Sequence, residues 1–181
     1  MALPSTMQAV ILTGHGGPHR LELRRDWPVP GYGEDEVLIR VGAAGVNNTD
    51  INTRTGWYSR AVTGDTAASA AGATADDGGW AGVPLTFPRI QGADICGRVV
   101  AAGAAVDPDL NGQRVLVRTM QPAGDTAEGP VTVTVGSEMD GGFADYVAMP
   151  ARMVAPIACD WTDIELASIP CAWSTAENML H

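Results

Sequence analysis

Three short stretches of the sequence carry residue types able to do chemistry. Residues 45–50 read Gly-Val-Asn-Asn-Thr-Asp. Asn47 and Asn48 can donate hydrogen bonds to an oxygen on which negative charge develops. Thr49 and Asp50 can orient a carbonyl and pass a proton. The same residue types also cap helices, which is a purely structural use. Residues 92–97 read Gly-Ala-Asp-Ile-Cys-Gly, with Asp94 just before an apolar strand, where a carboxylate either faces a cleft or is merely solvated. Residues 170–175 read Pro-Cys-Ala-Trp-Ser-Thr. Cys171 there precedes an expected helix start, whose field would lower the thiol pKa. A buried, inert cysteine is the alternative.

The elements that must position these residues are mostly short strands. Residues 7–13 form an apolar run. Leu21 and Leu23 alternate with charged residues until Pro28 and Pro30, and Val37, Ile39 and Val41 alternate after a Gly/Pro-rich turn. Further strands are expected over 95–101, 114–118, 131–135 and 143–149, with an Asn-Gly turn at 111–112. So many short strands broken by turns imply a barrel or sandwich. A short helix is expected over 47–54, capped by Asn48 or Thr49. Another is expected from a cap at Asp160 or Thr162 through Ala167, ended by Pro170. A last one starts near Ser174, with Glu177 in a capping box, and runs to His181. Residues 60–82 are mostly Ala, Thr, Gly, Ser and Asp; they read as a flexible insertion spanning 59–86 with its flanks.

Composition narrows the function classes. The chain has 181 residues and a net charge of −10, and all eleven basic residues are Arg. With no basic cluster, nucleic acid is not an expected partner. No apolar run approaches the roughly 20 residues of a membrane span, so no membrane partner is expected. The N-terminus lacks the basic-then-apolar order of a signal peptide, which implies a cytoplasmic protein. The three cysteines, Cys96, Cys159 and Cys171, are an odd number without regular spacing and read as reduced thiols.

Taken in order, these stretches resemble the catalytic domain of the medium-chain dehydrogenase/reductases. Residues 7–10 look like that family's first strand, and residues 35–41 followed by Gly45-Val46-Asn47 look like the strand leading to its active site. Residues 111–117 (Asn-Gly-Gln-Arg-Val-Leu-Val) are similar to its G-D-R-V strand, and residues 141–147 (Gly-Gly-Phe-Ala-Asp-Tyr-Val) to its G-x-[FY]-A-[DE]-Y strand. The resemblance implies a mainly β chain with short helices, folded as a GroES-like, partly open β-barrel. It implies a catalytic domain over 1–170 and, over 171–181, the start of a helix linking to a Rossmann domain that the chain lacks. No G-x-G-x-x-G follows any strand.

The family's zinc-dependent members carry a Cys after G-V, a His in G-H-E and often a Cys or Asp before the linking helix. Here those positions hold Asn47, Ala93 and Cys171. One thiolate cannot hold a zinc ion. Asp50 and Asp94 could join Cys171 only as an unusual Cys-Asp-Asp set. Asn47 at the Cys position is similar to the zinc-independent, quinone oxidoreductase-like branch. That branch implies an oxidoreductase reducing a quinone, an activated alkene or a carbonyl with NADPH or NADH, without catalytic or structural zinc. The resemblance then implies catalytic roles for Asn47, Thr49 and Asp50, with Asp50 holding the local loop, and cofactor contacts from Asn47 and Thr175. Asn52 replaces the family's relay His or Tyr. The expected partners are a small-molecule substrate, a Rossmann domain in the full-length enzyme and, as an option, a second copy of the chain; alone, the chain is expected to be inactive. Two other functions stay open: a non-enzymatic GroES-like binding or assembly module, using the end at 179–181 as its surface, and a zinc alcohol dehydrogenase with altered ligands.

Overall fold

The structure, a computed structural model, describes residues 3–59, 61–63, 78–80, 84–126 and 129–180. Most of the insertion expected over 59–86 lies outside the described residues. Its described parts do bury side chains: Leu85 is in the core, and Trp80 packs on Tyr58.

The chain is mainly β, with short helices. Strands β1 (Thr6–Leu12), β2 (Leu21–Pro28) and β4 (Arg89–Ile90) make one sheet in the order β2-β1-β4. A second sheet has the order β10-β6-β5-β3-β9. It contains β3 (Glu36–Gly45), β5 (Asp94–Ala102), β6 (Arg114–Val117), β9 (Tyr146–Pro150) and β10 (Val154–Pro156). A hairpin of β7 (Met120–Thr126) and β8 (Gly129–Thr134) stands apart. Among the described residues, the sheets do not close into one hydrogen-bonded ring. They meet where the Val10 N–H donates to the Phe143 carbonyl at 2.8 Å and where Ala9 bridges Ala144.

Side-chain alternation explains the layers. Met7, Ala9 and Ile11 of β1 point inward between exposed Thr6 and Gln8, as period-two patterning demands. With Ile90 they form one small core. The larger core packs Val37, Ile39, Ile95, Val99, Val115, Val147 and Met149 between strands of the five-stranded sheet. Each such side chain contributes about 1.5–3 kcal/mol by leaving water. β2 is an edge strand whose Glu22, Arg24, Arg25 and Asp26 face solvent, which discourages edge-to-edge pairing.

Three local expectations are corrected, and the choice of cap for the second helix is resolved. Helix α1 (Asn48–Thr55) is capped by Asn47, one residue earlier than expected. Only Asn47 has both the extended backbone (φ −119°, ψ 163°) and a side chain that accepts the Thr49 N–H. Helix α2 (Asp163–Leu166) is capped by Thr162 in a reciprocal box with Glu165, so Asp160 has no capping role. Pro170 does not merely end the preceding helix. It begins α3 (Pro170–Leu180), where its missing N–H costs nothing, so Ser174 lies inside α3 rather than at its start. The strand expected over 143–149 begins only at Tyr146, because residues 141–144 bend across to β1.

Candidate active-site cleft

Two glycines bring the three chemistry-bearing stretches together. Gly45 ends β3 where a Cβ would stand 2.5 Å from the Ala167 carbonyl oxygen. Only glycine lets the segment after α2 press against the strand that delivers Asn47. Gly92 has φ +101°, and a Cβ there would lie 2.8 Å from the Phe143 nitrogen. A side chain would be strained there on both counts.

Asp50 is a buried knot. Its Oδ2 accepts the Asn47 N–H at 2.9 Å and its Oδ1 accepts the Gly92 N–H at 2.9 Å. Its own carbonyl accepts Gln91 Nε2–H at 2.8 Å. One side chain thus ties the start of α1 to the loop before β5. Burial pushes its pKa up, against the pull of the backbone N–H donors.

Asp94 is a second tie, 3% exposed. Its Oδ1 accepts the Cys171 N–H at 2.6 Å and its Oδ2 accepts Asn47 Nδ2–H at 3.3 Å. Burial raises its pKa, while those donors lower it. The Asn47 amide orientation follows from its partners: the oxygen faces the Thr49 N–H and the nitrogen faces a carboxylate. An amide nitrogen has two hydrogens, so one remains for another acceptor.

Cys171 sits in the first turn of α3, yet its thiol pKa is raised rather than lowered. Burial is the main cause, and the Asp94 and Asp50 carboxylates add to it. Burial, with the two acids, outweighs the helix field, which favours the inert alternative over the activated thiol. Cys96 lies elsewhere; burial and the Asp163 carboxylate push its thiol up to about 12.

These residues flank a cleft of about 440 Å³. Asn47, Thr49, Cys171 and Thr175 line it, and Asp50 and Asp94 stand behind the wall. Thr175 turns its hydroxyl onto the Cys171 carbonyl at 2.8 Å, leaving its oxygen as an acceptor. The lining also includes the apolar side chains of Trp80, Met120 and Met179. Among the described residues, no three His, Cys, Asp or Glu side chains converge as a metal-binding group.

By sequence alone, Trp57, Tyr58 and Trp173 either line an apolar cleft or pack in a core, and the Tyr58 hydroxyl has no assigned role. Its hydroxyl donates to Thr49 Oγ1 at 3.1 Å, and Tyr58 lines the same cleft. Trp57 and Trp80 hold its ring edge-on, at centroid distances of 5.6 Å and 4.8 Å. The findable signal was Gly56: in the left-handed region (φ 72°) it ends α1 and reverses the chain, which sends the following aromatic back along the helix. Of these three aromatics, Tyr58 lines the cleft and Trp57 supports it, whereas Trp173 is 66% exposed on α3.

Comparisons with known proteins agree with this architecture. Residues 33–159 match the alcohol dehydrogenase GroES-like domain. The chain is 28% identical to an NADPH-dependent alkenal/one oxidoreductase of Arabidopsis thaliana over 99% of its own length and 38% of the relative. It is 30% identical to a quinone oxidoreductase of Lama guanicoe over 77% of its own length and 30% of the relative. Among solved structures, it superposes with TM-score 0.80 on a Sinorhizobium meliloti 1021 protein named provisionally as an alcohol dehydrogenase, at 41% identity, covering 98% of this chain and 47% of that one. A thermostable alcohol dehydrogenase from Pyrobaculum aerophilum matches with TM-score 0.70 at 26% identity, over 96% of this chain and 46% of that one. The chain therefore spans less than half the length of the relatives it matches, and it belongs to the alcohol dehydrogenase GroES-like domain family.

Proposed function

We propose that this chain is the substrate-facing part of an NAD(P)H-dependent oxidoreductase that reduces a quinone, an activated alkene or a carbonyl without zinc. A Rossmann domain elsewhere in the full enzyme would complete the cofactor site. The observation that carries the reading is one cleft lined by the Asn47 amide, the Thr49–Tyr58 hydroxyl pair and the apolar side chains of Trp80, Met120 and Met179. The names of the alkenal and quinone oxidoreductases it resembles support the same class.

The residues present do not fit a zinc ion. Asn47 is fixed as a helix cap, Ala93 offers no donor, and Cys171 is a single thiol whose pKa is raised by burial and by two neighbouring carboxylates. The Asp50 and Asp94 oxygens already accept N–H bonds. They do fit a nicotinamide ring, whose carboxamide needs the kind of donor and acceptor that Asn47 and Thr175 present. When bound, the nicotinamide supplies hydride to a substrate carbon.

The chain's own residues then handle the charge and the proton. As the substrate oxygen gains charge, the free Asn47 N–H and the Thr49 hydroxyl donate to it. Thr49 can give up its proton because Tyr58 stands ready to replace it, at 3.1 Å. Asp50 and Asp94 do not touch substrate in this reading; they position the Asn47 backbone and side chain.

The test is reduction of 2-cyclohexenone and of a benzoquinone by NADPH in the complete polypeptide, with and without prior chelator dialysis. Equal rates support the reading. Loss of activity that zinc restores would overturn it in favour of an alcohol dehydrogenase with altered ligands.

A further inference from the structure

Away from the cleft, the register of the five-stranded sheet places arginines side by side. Arg40 of β3 lies directly opposite Arg98 of β5, and Arg98 lies directly opposite Arg114 of β6. Directly opposed residues in antiparallel strands share a face, with Cβ atoms about 4.5–5.5 Å apart, and like charges so placed destabilise the sheet. This chain has eleven basic residues against twenty-one acidic ones, and three of the eleven stand in one row.

The row is unevenly compensated. Arg114 pairs with Asp163 at 3.6 Å and donates to the carbonyls of Trp161 and Cys159. Arg98 gives one N–H to the Gly112 carbonyl at 2.6 Å. The Arg40 side chain has no hydrogen bond or ion pair among the described residues. Arg40 and Arg98 line a groove of about 480 Å³, together with Thr6, Gly42, Asp145 and Asp163. Its two acids line the groove too, but Asp163 is paired with Arg114 at 3.6 Å and Asp145 accepts the Gln8 N–H at 2.8 Å, so neither forms an ion pair with Arg40 or Arg98.

We propose that this groove is a binding site for a phosphoryl or pyrophosphoryl group, held between the Arg40 and Arg98 guanidinium forks. Guanidinium is the side-chain cation suited to two-point contact with such oxyanions. The repulsion built into the row is relieved when a dianion lies across it. A free phosphate and a phosphorylated small molecule share this chemistry.

The experiment titrates the purified protein with inorganic phosphate and with pyrophosphate at fixed ionic strength, by calorimetry and by thermal melting. Chloride serves as the control anion. Saturable binding by pyrophosphate and a ligand-dependent rise in Tm are expected. Tighter pyrophosphate than phosphate binding would point to a phosphorylated ligand, and equal affinity to free phosphate. Arg40→Gln and Arg98→Gln should each weaken binding at least about fivefold. Arg40→Gln should also raise the ligand-free Tm, a change that mere misfolding would not produce. Arg152→Gln, at an exposed pair with Asp35 outside the groove, should bind as the unaltered protein does. Absence of saturable binding, or equal weakening by Arg152→Gln, overturns the proposal.

Discussion

At the scale of single residues, Asn47 holds three positions at once. It caps α1, orients its amide through Asp94, and leaves one N–H on the cleft wall. The types and spacing of residues 45–50 made this stretch visible in the sequence. What the sequence did not show is which partner each would find, because Asp94 and Cys171 lie 47 and 77 positions from the groups they bind or hold. If Thr49 delivers the proton, Thr49→Val lowers kcat for enone reduction by about a hundredfold or more. Tyr58→Phe should cost less, about tenfold, since solvent can reprotonate Thr49. A loss for Tyr58→Phe as large as that for Thr49→Val would instead make Tyr58 the direct donor. Cys171 gives a pH prediction. Its thiol pKa is raised, so thiolate appears, and alkylation accelerates, only above the ordinary cysteine range. Asp94→Asn removes one of the charges that raise it, so Cys171 should react several-fold faster near neutral pH. Site-resolved mass spectrometry after iodoacetamide checks this, with exposed Cys159 as the internal reference.

At the scale of elements, alternation of apolar side chains was enough to locate most strands, because each buries one face against a core. Boundaries were harder. A Pro can stop one helix or start the next, and at Pro170 only the packing of α3 decides which. The bend over 141–144 is set by backbone contact with β1, which alternation does not encode. The glycines that bring the elements together are individually replaceable in composition but not in place. Gly92→Ala meets both a positive φ and the Phe143 backbone, and it disturbs the N–H that Asp50 accepts. A loss of about 2–4 kcal/mol in urea unfolding is expected. Thr162→Ala removes only one end of the α2 capping box and should cost about 1 kcal/mol.

At the scale of the whole molecule, the chain matches full-length relatives over its own length but covers only 38% of the alkenal oxidoreductase. The mainly β fold and the family were legible from four ordered motifs, since these mark strands that the fold cannot do without. The substrate was not legible: it depends on the shape of a cleft whose walls, Trp80, Met120 and Met179, come from distant segments. With most cofactor contacts expected in a Rossmann domain, residues 1–181 alone should bind NADPH only at millimolar concentrations or weaker. The central claim is a metal-free reductase cleft built on Asn47 and the Thr49–Tyr58 pair. Its most direct test measures NADPH-dependent 2-cyclohexenone reduction by the complete polypeptide alongside its zinc content. Turnover with less than about a tenth of an equivalent of zinc, lowered about a hundredfold or more by Thr49→Val, is expected. Turnover that scales with bound zinc and survives Thr49→Val would contradict it.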